Sequence, residues 1–358
     1  MILNRYIARE ITRPMLIIGG VILAIFFSYI TAGYLSDAVV GNLPADYVLL
    51  LIFLKMFVAQ EIILPTTLYL AVVIAVGRMY RDSEVLAIQS CGVADINIVK
   101  PVFYLSLIVA AIVAVVSLYI RPWAYGKLYW LKTHAELNFD LSNMEGGKFY
   151  EIPSASLVVF AENIDHDENR GSQVFILGDE DDTLQVILAE AVDQYEDPSS
   201  QEKVLMLQNG SIYEISKNDE KARVTEFFDA KYAITPESEV PQRYRRKAAS
   251  TVHLLSSDSL EDIAELQWRL STPLSALLLG LLGVLLSRTT PRQGKYGKVI
   301  TAIVLFAVYY NMTVVVKNMV GNGIIRPYPG VGLVQLALAS LVGTLFWYQG
   351  MIRLHRLR

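Results

Sequence analysis

Six apolar runs separated by short polar breaks organise this chain, with one long interruption in which the pattern changes period. The first run covers 14–34 and follows a lead-in carrying Arg5, Arg9 and Arg13. The second, 47–76, is broken by Lys55, Glu61 and Pro65, and reads as an amphipathic lead-in and then a span over 56–76, with Lys55 and Glu61 near its outer end. The third, 101–120, is closed by Arg121, Pro122 and Trp123; the fourth, 270–286, starts behind Trp268 and Arg269. Runs at 299–316 and 331–348 complete the set. Each approaches the roughly 20 apolar residues that carry a helix across a bilayer. The first is too long for a signal-peptide core and lacks a small-x-small cleavage site, so it reads as a retained helix. The lead-in, 78–81, 288–298 and the tail at 353–358 are all basic and alternate onto one side, which predicts six spans with both termini inside.

Between the third and fourth runs, short segments rich in β-branched and aromatic residues take over, at 148–152, 157–164, 174–177, 184–195, 204–207, 211–215 and 224–234. Clusters of Asp, Glu, Asn and Gly separate them. Asn209-Gly210, between two of the segments, is a hairpin signal. So many short strands predict a β-sandwich, jelly roll or open barrel on the outer side. The fold class expected is a polytopic α-helical membrane protein of six transmembrane helices with an inserted all-β, jellyroll-like domain. The divisions are 1–131, 132–262 and 263–358.

A polar, amphipathic segment at 78–92 (RMYRDSEVLAIQSCG) lies between the second and third runs. Ser83 can cap a helix, Glu84 suits its first turn, and Gly92 can end it in a left-handed conformation. It predicts a helix of about three turns along the inner membrane surface, a knob that a soluble partner can grip; an ordinary helical loop is the alternative.

Composition sharpens this picture. Hydrophobic residues make up 53% and charged residues 18%, with a mean hydropathy of +0.39. Residues 134–262 hold 27 of the 35 acidic side chains but 11 of the 31 basic ones, so an acidic soluble insert splits a membrane domain. The single cysteine, Cys91, excludes an internal disulfide, and four histidines without ligand spacing argue against zinc. Asp179-Glu-Asp-Asp182 can be a calcium site or a solvated turn. No GxxxxGK[ST] occurs, which argues against ATP hydrolysis by this chain. The spans show no HExxH or paired aspartates and no plausible Ser/Lys dyad, which argues against an intramembrane enzyme. Lys317, closing the fifth span, is either a cavity cation or a snorkelling side chain. For Lys55, Arg269 and Arg326 snorkelling is the expectation. A scaffold or sensor that relays periplasmic binding to a cytoplasmic protein is the alternative to a transporter.

Arg5-Tyr6, Ile63-Leu64-Pro65, the Ser83-Glu84 to Cys91-Gly92 helix, Glu265-Leu-Gln-Trp268-Arg269 and Pro291-Arg-Gln-Gly294 together resemble the lipopolysaccharide export permease family, formerly the YjgP/YjgQ type. The last turn and the Cys-Gly end look more like its LptF branch. The resemblance covers essentially the whole chain. It implies an inner-membrane subunit of a Gram-negative ATP-binding-cassette exporter, paired with an LptG-type permease on an ATPase dimer. The pair extracts lipopolysaccharide and passes it to a single-span periplasmic jellyroll subunit of LptC type and a periplasmic bridge. ATP and magnesium belong to the ATPase; neither a cofactor in this chain nor a nucleic-acid partner is expected. By the same resemblance Arg81, Ser83, Glu84, Leu86 and Ala87 form the coupling surface. Lys317 matches a basic cavity position suited to lipid phosphates; Arg326 and Lys55 join it as candidate substrate-binding cations, with snorkelling as their competing reading. Val158 and Phe160, taken as inward-facing, mark the lipid path in the β domain. At Thr31-Ala-Gly33-Tyr34 the basic residue that some relatives carry is absent.

Overall fold

The computed structural model describes residues 2–39, 45–137, 144–152, 157–165, 170–180, 183–196, 203–216, 222–233, 245–288 and 297–349. The basic turn around Arg292 and the tail lie outside the described residues. The chain divides into two compact units: Met1–Tyr29, Phe53–Gly126 and Arg245–Arg358 form one, Ile30–Ile52 and Lys127–Tyr244 the other.

The helices in chain order are α1 (Ile2–Val39), α2 (Ala45–Arg81), α3 (Glu84–Ser90), α4 (Ile96–Val115), α5 (Arg121–Leu137), α6 (Thr251–Ser256), α7 (Leu260–Leu286), α8 (Gly297–Gly321) and α9 (Gly332–Tyr348). Five apolar stretches, in α1, α2, α4 continued into α5, α7 and α8, are long enough to cross a membrane; α9 is a shorter apolar helix of 17 residues. Two spans run further than the apolar pattern implies. α2 is continuous through Pro65, and the third rod passes Arg121 without ending. α2 stays continuous through Pro65: Leu64 and Leu68 are held in the core shared with other helices, and Thr67 Oγ1 donates to the Leu64 carbonyl at 3.0 Å next to the proline.

α7 is the centre of the helical unit, packing on α4, α8 and α9. Its buried face carries Ser271, Ser275, Ala276, Gly280 and Gly283. Small side chains let helices approach closely where lipid offers no hydrophobic driving force. A Cβ on Gly280 would collide with the Ser106 side chain of α4, and one on Gly283 would stand 3.0 Å from Val72 of α2. Around this contact Ile7 and Ile11 of α1, Val72 and Val76 of α2, Val102 and Val109 of α4 and Val284 of α7 form the main core. By contrast, the most apolar window of α1 has no buried residues, and Ile303, Val304 and Val308 of α8 are exposed. Helices apolar on every side face lipid or another helix.

α3 departs from its prediction. It spans two turns, and Ser83 caps nothing: at φ 61° it takes a left-handed conformation, and the helix begins at Glu84. In that conformation the Ser83 side chain makes no hydrogen bond to the first N–H groups of α3. Gly92, at φ 79°, ends the helix as expected. Val85 is buried in the core while Leu86 and Ala87 are exposed.

In the second unit, β1 (Phe149–Ile152), β2 (Leu157–Asp165), β3 (Arg170–Glu180), β4 (Thr183–Glu196), β5 (Lys203–Ser216) and β6 (Ala222–Ala233) form one antiparallel sheet in sequential order. The predicted 204–207 and 211–215 segments are a single strand. Asn209-Gly210 makes no hairpin; it lies within β5, paired on both sides. Asn209 is left-handed there, φ 48°, as is Gln173 of β3 at φ 52°. Ladder pairing skips the row Glu162, Gln173, Glu190 and Asn209, which crosses the sheet as a crease. At the crease the buried set steps by three residues instead of two, from Gly171 to Val174 in β3 and from Ala189 to Val192 in β4, and in β2 the next residue packed on the core after Ala161 is the partly buried Ile164.

That phase corrects the expected facing of β2. Leu157, Val159 and Ala161 carry the buried face; Val158 and Phe160 stand on the other. Period-two alternation in an all-apolar run leaves both faces eligible, and a one-residue offset exchanges them. The second face is nonetheless apolar before the crease. Val158, Leu177, Val186, Tyr213 and Val224 form one cross-strand row. Phe160 meets Phe149 at 4.6 Å, and Phe149 meets Phe175 at 6.4 Å. Beyond the crease this face turns polar, with Arg170, Asp193 and Gln208 bonded together.

Overpacking a close helix contact costs about 1–3 kcal/mol. Gly280→Val is therefore expected to lower the thermal midpoint of the detergent-solubilised chain clearly. Gly343→Val, where a Cβ meets nothing within 4 Å, is expected to change it little. Equal midpoints for the two variants would contradict the close-approach role of Gly280.

Candidate functional site

The helical unit buries a network of charges that the chain assembles from four distant segments. Between α4 and α5 the rod makes a π-helical turn, Val116–Ile120. Such turns insert a residue and re-aim the side chains around them. Here Ser117 and Arg121, four apart, both face Glu61 of α2. Glu61 accepts from Arg121 at 2.5 Å, Ser117 Oγ at 2.9 Å, Trp268 Nε1 at 2.9 Å and Thr272 Oγ1 at 3.2 Å. One helical turn before Arg269 on α7, Glu265 accepts from Arg121 at 2.9 Å, from Arg269 at 3.3 Å, and from Lys317 of α8.

Burial makes this arrangement demanding. Side-chain exposure is 2% for both carboxylates, 7% for Arg121 and 0% for Arg269. An isolated charge in such a place is strongly unfavourable, so each must meet opposite charge and fill its hydrogen-bond positions. Arg269 does so by donating to the carbonyls of Ala249 at 2.9 Å, Lys247 at 3.2 Å and Arg246 at 3.3 Å, and to Thr251 Oγ1 at 3.3 Å. The short helical turn Arg246–Ala248 thus folds over the guanidinium.

Two expectations are corrected here. Arg269 does not snorkel, because α7 begins nine residues earlier and the segment before it covers the side chain. Arg121 does not close its helix; the rod runs on through it, and the guanidinium is the hub between Glu61 and Glu265. Lys317 is committed to Glu265, with its ammonium 4.9 Å from the Trp268 ring centre. Its side chain keeps 20% exposure. Lys55 is half-buried, 5.4 Å from the Tyr125 ring, which Lys247 and Arg121 also approach at 5.5 and 5.8 Å. Arg326 is exposed in the connection between α8 and α9, and the network does not include it. A small, half-open pocket lies beside the network, lined by Glu61, Trp268, Phe306, Tyr309 and Tyr310 among others. Among the described residues no three His, Cys, Asp or Glu side chains gather as metal ligands.

Sequence reasoning missed Arg121, Glu265 and Lys247. The available signals were Glu61 alone in an apolar run, which demands a buried partner, and the i,i+4 spacing of Glu265 and Arg269.

The second candidate region is the surface of α3. Glu84 accepts a hydrogen bond from Tyr6 of α1 at 2.9 Å, and Arg78 pairs with Glu10. Beyond the other end of α3, Asp95 pairs with Arg288, next to the C-terminus of α7, at 2.6 Å and accepts from Gln89. The short helix is tied to two spans while Arg81, Ser83, Leu86 and Ala87 remain exposed.

Breaking a buried ion pair by removing one partner costs about 3–5 kcal/mol, more than removing both. Arg121→Met is expected to destabilise the chain severely, and Glu61→Gln added to Arg121→Met to recover part of that loss. A double-mutant cycle by thermal unfolding checks this; strict additivity would deny the coupling.

The profile of the family described as "Lipopolysaccharide export system permease LptF/LptG" matches residues 5–348. The chain is 27% identical over 348 residues to the lipopolysaccharide export system permease protein LptF of Escherichia coli K12, covering 96% of this chain and 94% of that one. The LptF proteins of Escherichia coli O157:H7 and Shigella flexneri match to the same extent. With apolar spans, an antiparallel β unit and a match running nearly end to end, the chain belongs to the lipopolysaccharide export system permease LptF/LptG family.

Proposed function

We propose that this chain is a permease subunit of a lipopolysaccharide exporter, held in the bacterial inner membrane with both termini in the cytoplasm and its β unit in the periplasm. The observation that supports this most directly is the charge network among apolar helices. It presents Lys317 at its more open edge over the Trp268 ring, which also lines the small pocket with Phe306, Tyr309 and Tyr310. A substrate with phosphates and acyl chains needs that combination of a few cations and apolar surface. Lys317 would meet phosphate first, with Lys55 nearby on the Tyr125 ring and Arg326 as a more distant contact. Lys247, also on that ring, joins them as a cation that sequence reasoning did not single out.

Energy would come from a separate ATPase dimer that binds ATP and magnesium. Its docking surface is the exposed face of α3, with Leu86 and Ala87 as apolar contacts and Arg81, Ser83 and Glu84 at the near end. Because α3 is tied to α1 through Tyr6 and to α7 through Arg288, a push on it would reach the spans as a rigid displacement. An LptG-type permease would complete the cavity, and an LptC-type subunit and periplasmic bridge would receive the lipid. In the β unit, the half-open apolar face with Val158 and Phe160 is the surface offered to acyl chains.

Two experiments test these assignments. Glu84→Ala is expected to reduce co-purification of the ATPase, or to uncouple hydrolysis from export; unchanged assembly and transport would remove Glu84 from the coupling surface. Photo-crosslinking probes at Phe160 and Val159, in cells, are expected to capture lipopolysaccharide at Phe160 preferentially and in an ATP-dependent manner. Capture at Val159 alone would move the path to the other face. Absence of adducts at both in a folded, assembled protein would favour a scaffold or sensor.

A further inference from the structure

The buried network holds three cations against two carboxylates, and the odd charge has an identifiable place. Arg121 contacts both Glu61 and Glu265, and Arg269 contacts Glu265. Without Lys317 the set is balanced, two guanidiniums against two carboxylates. Lys317 is also its most open member, 20% exposed against 7% for Arg121 and 0% for Arg269.

We propose that Glu265 is an internal competitor for the lipid phosphate: it holds Lys317 while the site is empty, yields it when a phosphate arrives, and takes it back on release. This rests on Lys317 being a phosphate contact, as read above. Exchange is inexpensive on the protein's side because Glu265 keeps Arg121 at 2.9 Å and Arg269 at 3.3 Å after losing Lys317. No buried carboxylate is left alone, which is the costly outcome. Lysine suits the moving part, since its ammonium sits on a flexible four-carbon stem and offers three rotatable donors. The Trp268 ring at 4.9 Å gives the ammonium a second hold that does not depend on Glu265.

The consequence concerns turnover. A cavity cation with no internal partner would bind phosphate tightly and release it slowly. Transport depends on the difference in affinity between the loading and releasing states, not on tight binding in both. A built-in counter-ion lowers the affinity of Lys317 and supplies the group that replaces the departing phosphate.

The test uses the assembled permease–ATPase complex in nanodiscs, titrated with bisphosphorylated lipid A and with its dephosphorylated form. Glu265→Gln is expected to bind the phosphorylated lipid about ten-fold tighter, the scale of one charge-assisted hydrogen bond, and to slow ATP-driven release. No gain is expected for the dephosphorylated lipid. Glu265→Asp, which keeps a carboxylate for the guanidiniums but draws it back from Lys317 by one methylene, is expected to act in the same direction more weakly. It decides the question if the Gln variant fails to assemble. If neither variant binds the phosphorylated lipid more tightly, or if the dephosphorylated form gains equally, the competition is refuted. Lys317→Ala separates the two layers. Undiminished binding there would overturn the phosphate contact itself, whereas weakened binding with unchanged Glu265 variants would overturn only the role of Glu265.

Discussion

A carboxylate inside an apolar helix bundle must find cations, and the meeting of Glu61 with Arg121 is the interaction on which the rest of the helical unit depends. Satisfying it brings α2 to the rod formed by α4 and α5, and requires the π turn that aims Ser117 and Arg121 the same way. Arg121 then reaches Glu265, which recruits Arg269 and Lys317 and so draws in α7 and α8. One pairing thereby specifies the neighbours of four elements. Apolar contacts between lipid-bathed helices discriminate poorly among partners, so a buried polar network is well suited to that role.

Close packing and charge pairing act at different levels along α7. Toward its C-terminal half Gly280 and Gly283 allow backbone approach to α4 and α2; toward its N-terminal half Trp268, Arg269 and Thr272 carry the polar contacts. The α3 end is joined to the same helix by Asp95 and Arg288. α7 therefore links the presented surface of α3 to the cation site by a continuous rigid element. Under the proposed function, that continuity is what would let a push on α3 change the affinity of the Lys317 site.

The β unit solves a different problem, that of carrying apolar side chains on both faces without collapsing into a closed core. The crease through Gln173 and Asn209 changes the phase of the buried set, so one sheet presents an apolar face and a polar face on the same side of its surface. A hairpin at Asn209-Gly210 would have ended β5 there and removed that division.

Hydrophobic periodicity is a local property, and what it controls was legible in the sequence: the apolar runs, the β insert, the amphipathic helix near 84–90 and, through short motifs, the family. Arg5-Tyr6 and Glu265-Leu-Gln-Trp268-Arg269 served as signatures before their contacts were visible. Tertiary structure alone decided which charges meet, because Glu61 and Arg121 lie 60 residues apart and neither segment encodes its partner. It likewise moved Arg269 from an expected snorkelling position into a carbonyl cage, and assigned Lys317 to Glu265. The facing of Val158 and Phe160 was undetermined for the same reason: when alternate residues on both faces are apolar, only packing against the neighbouring strands selects the buried one.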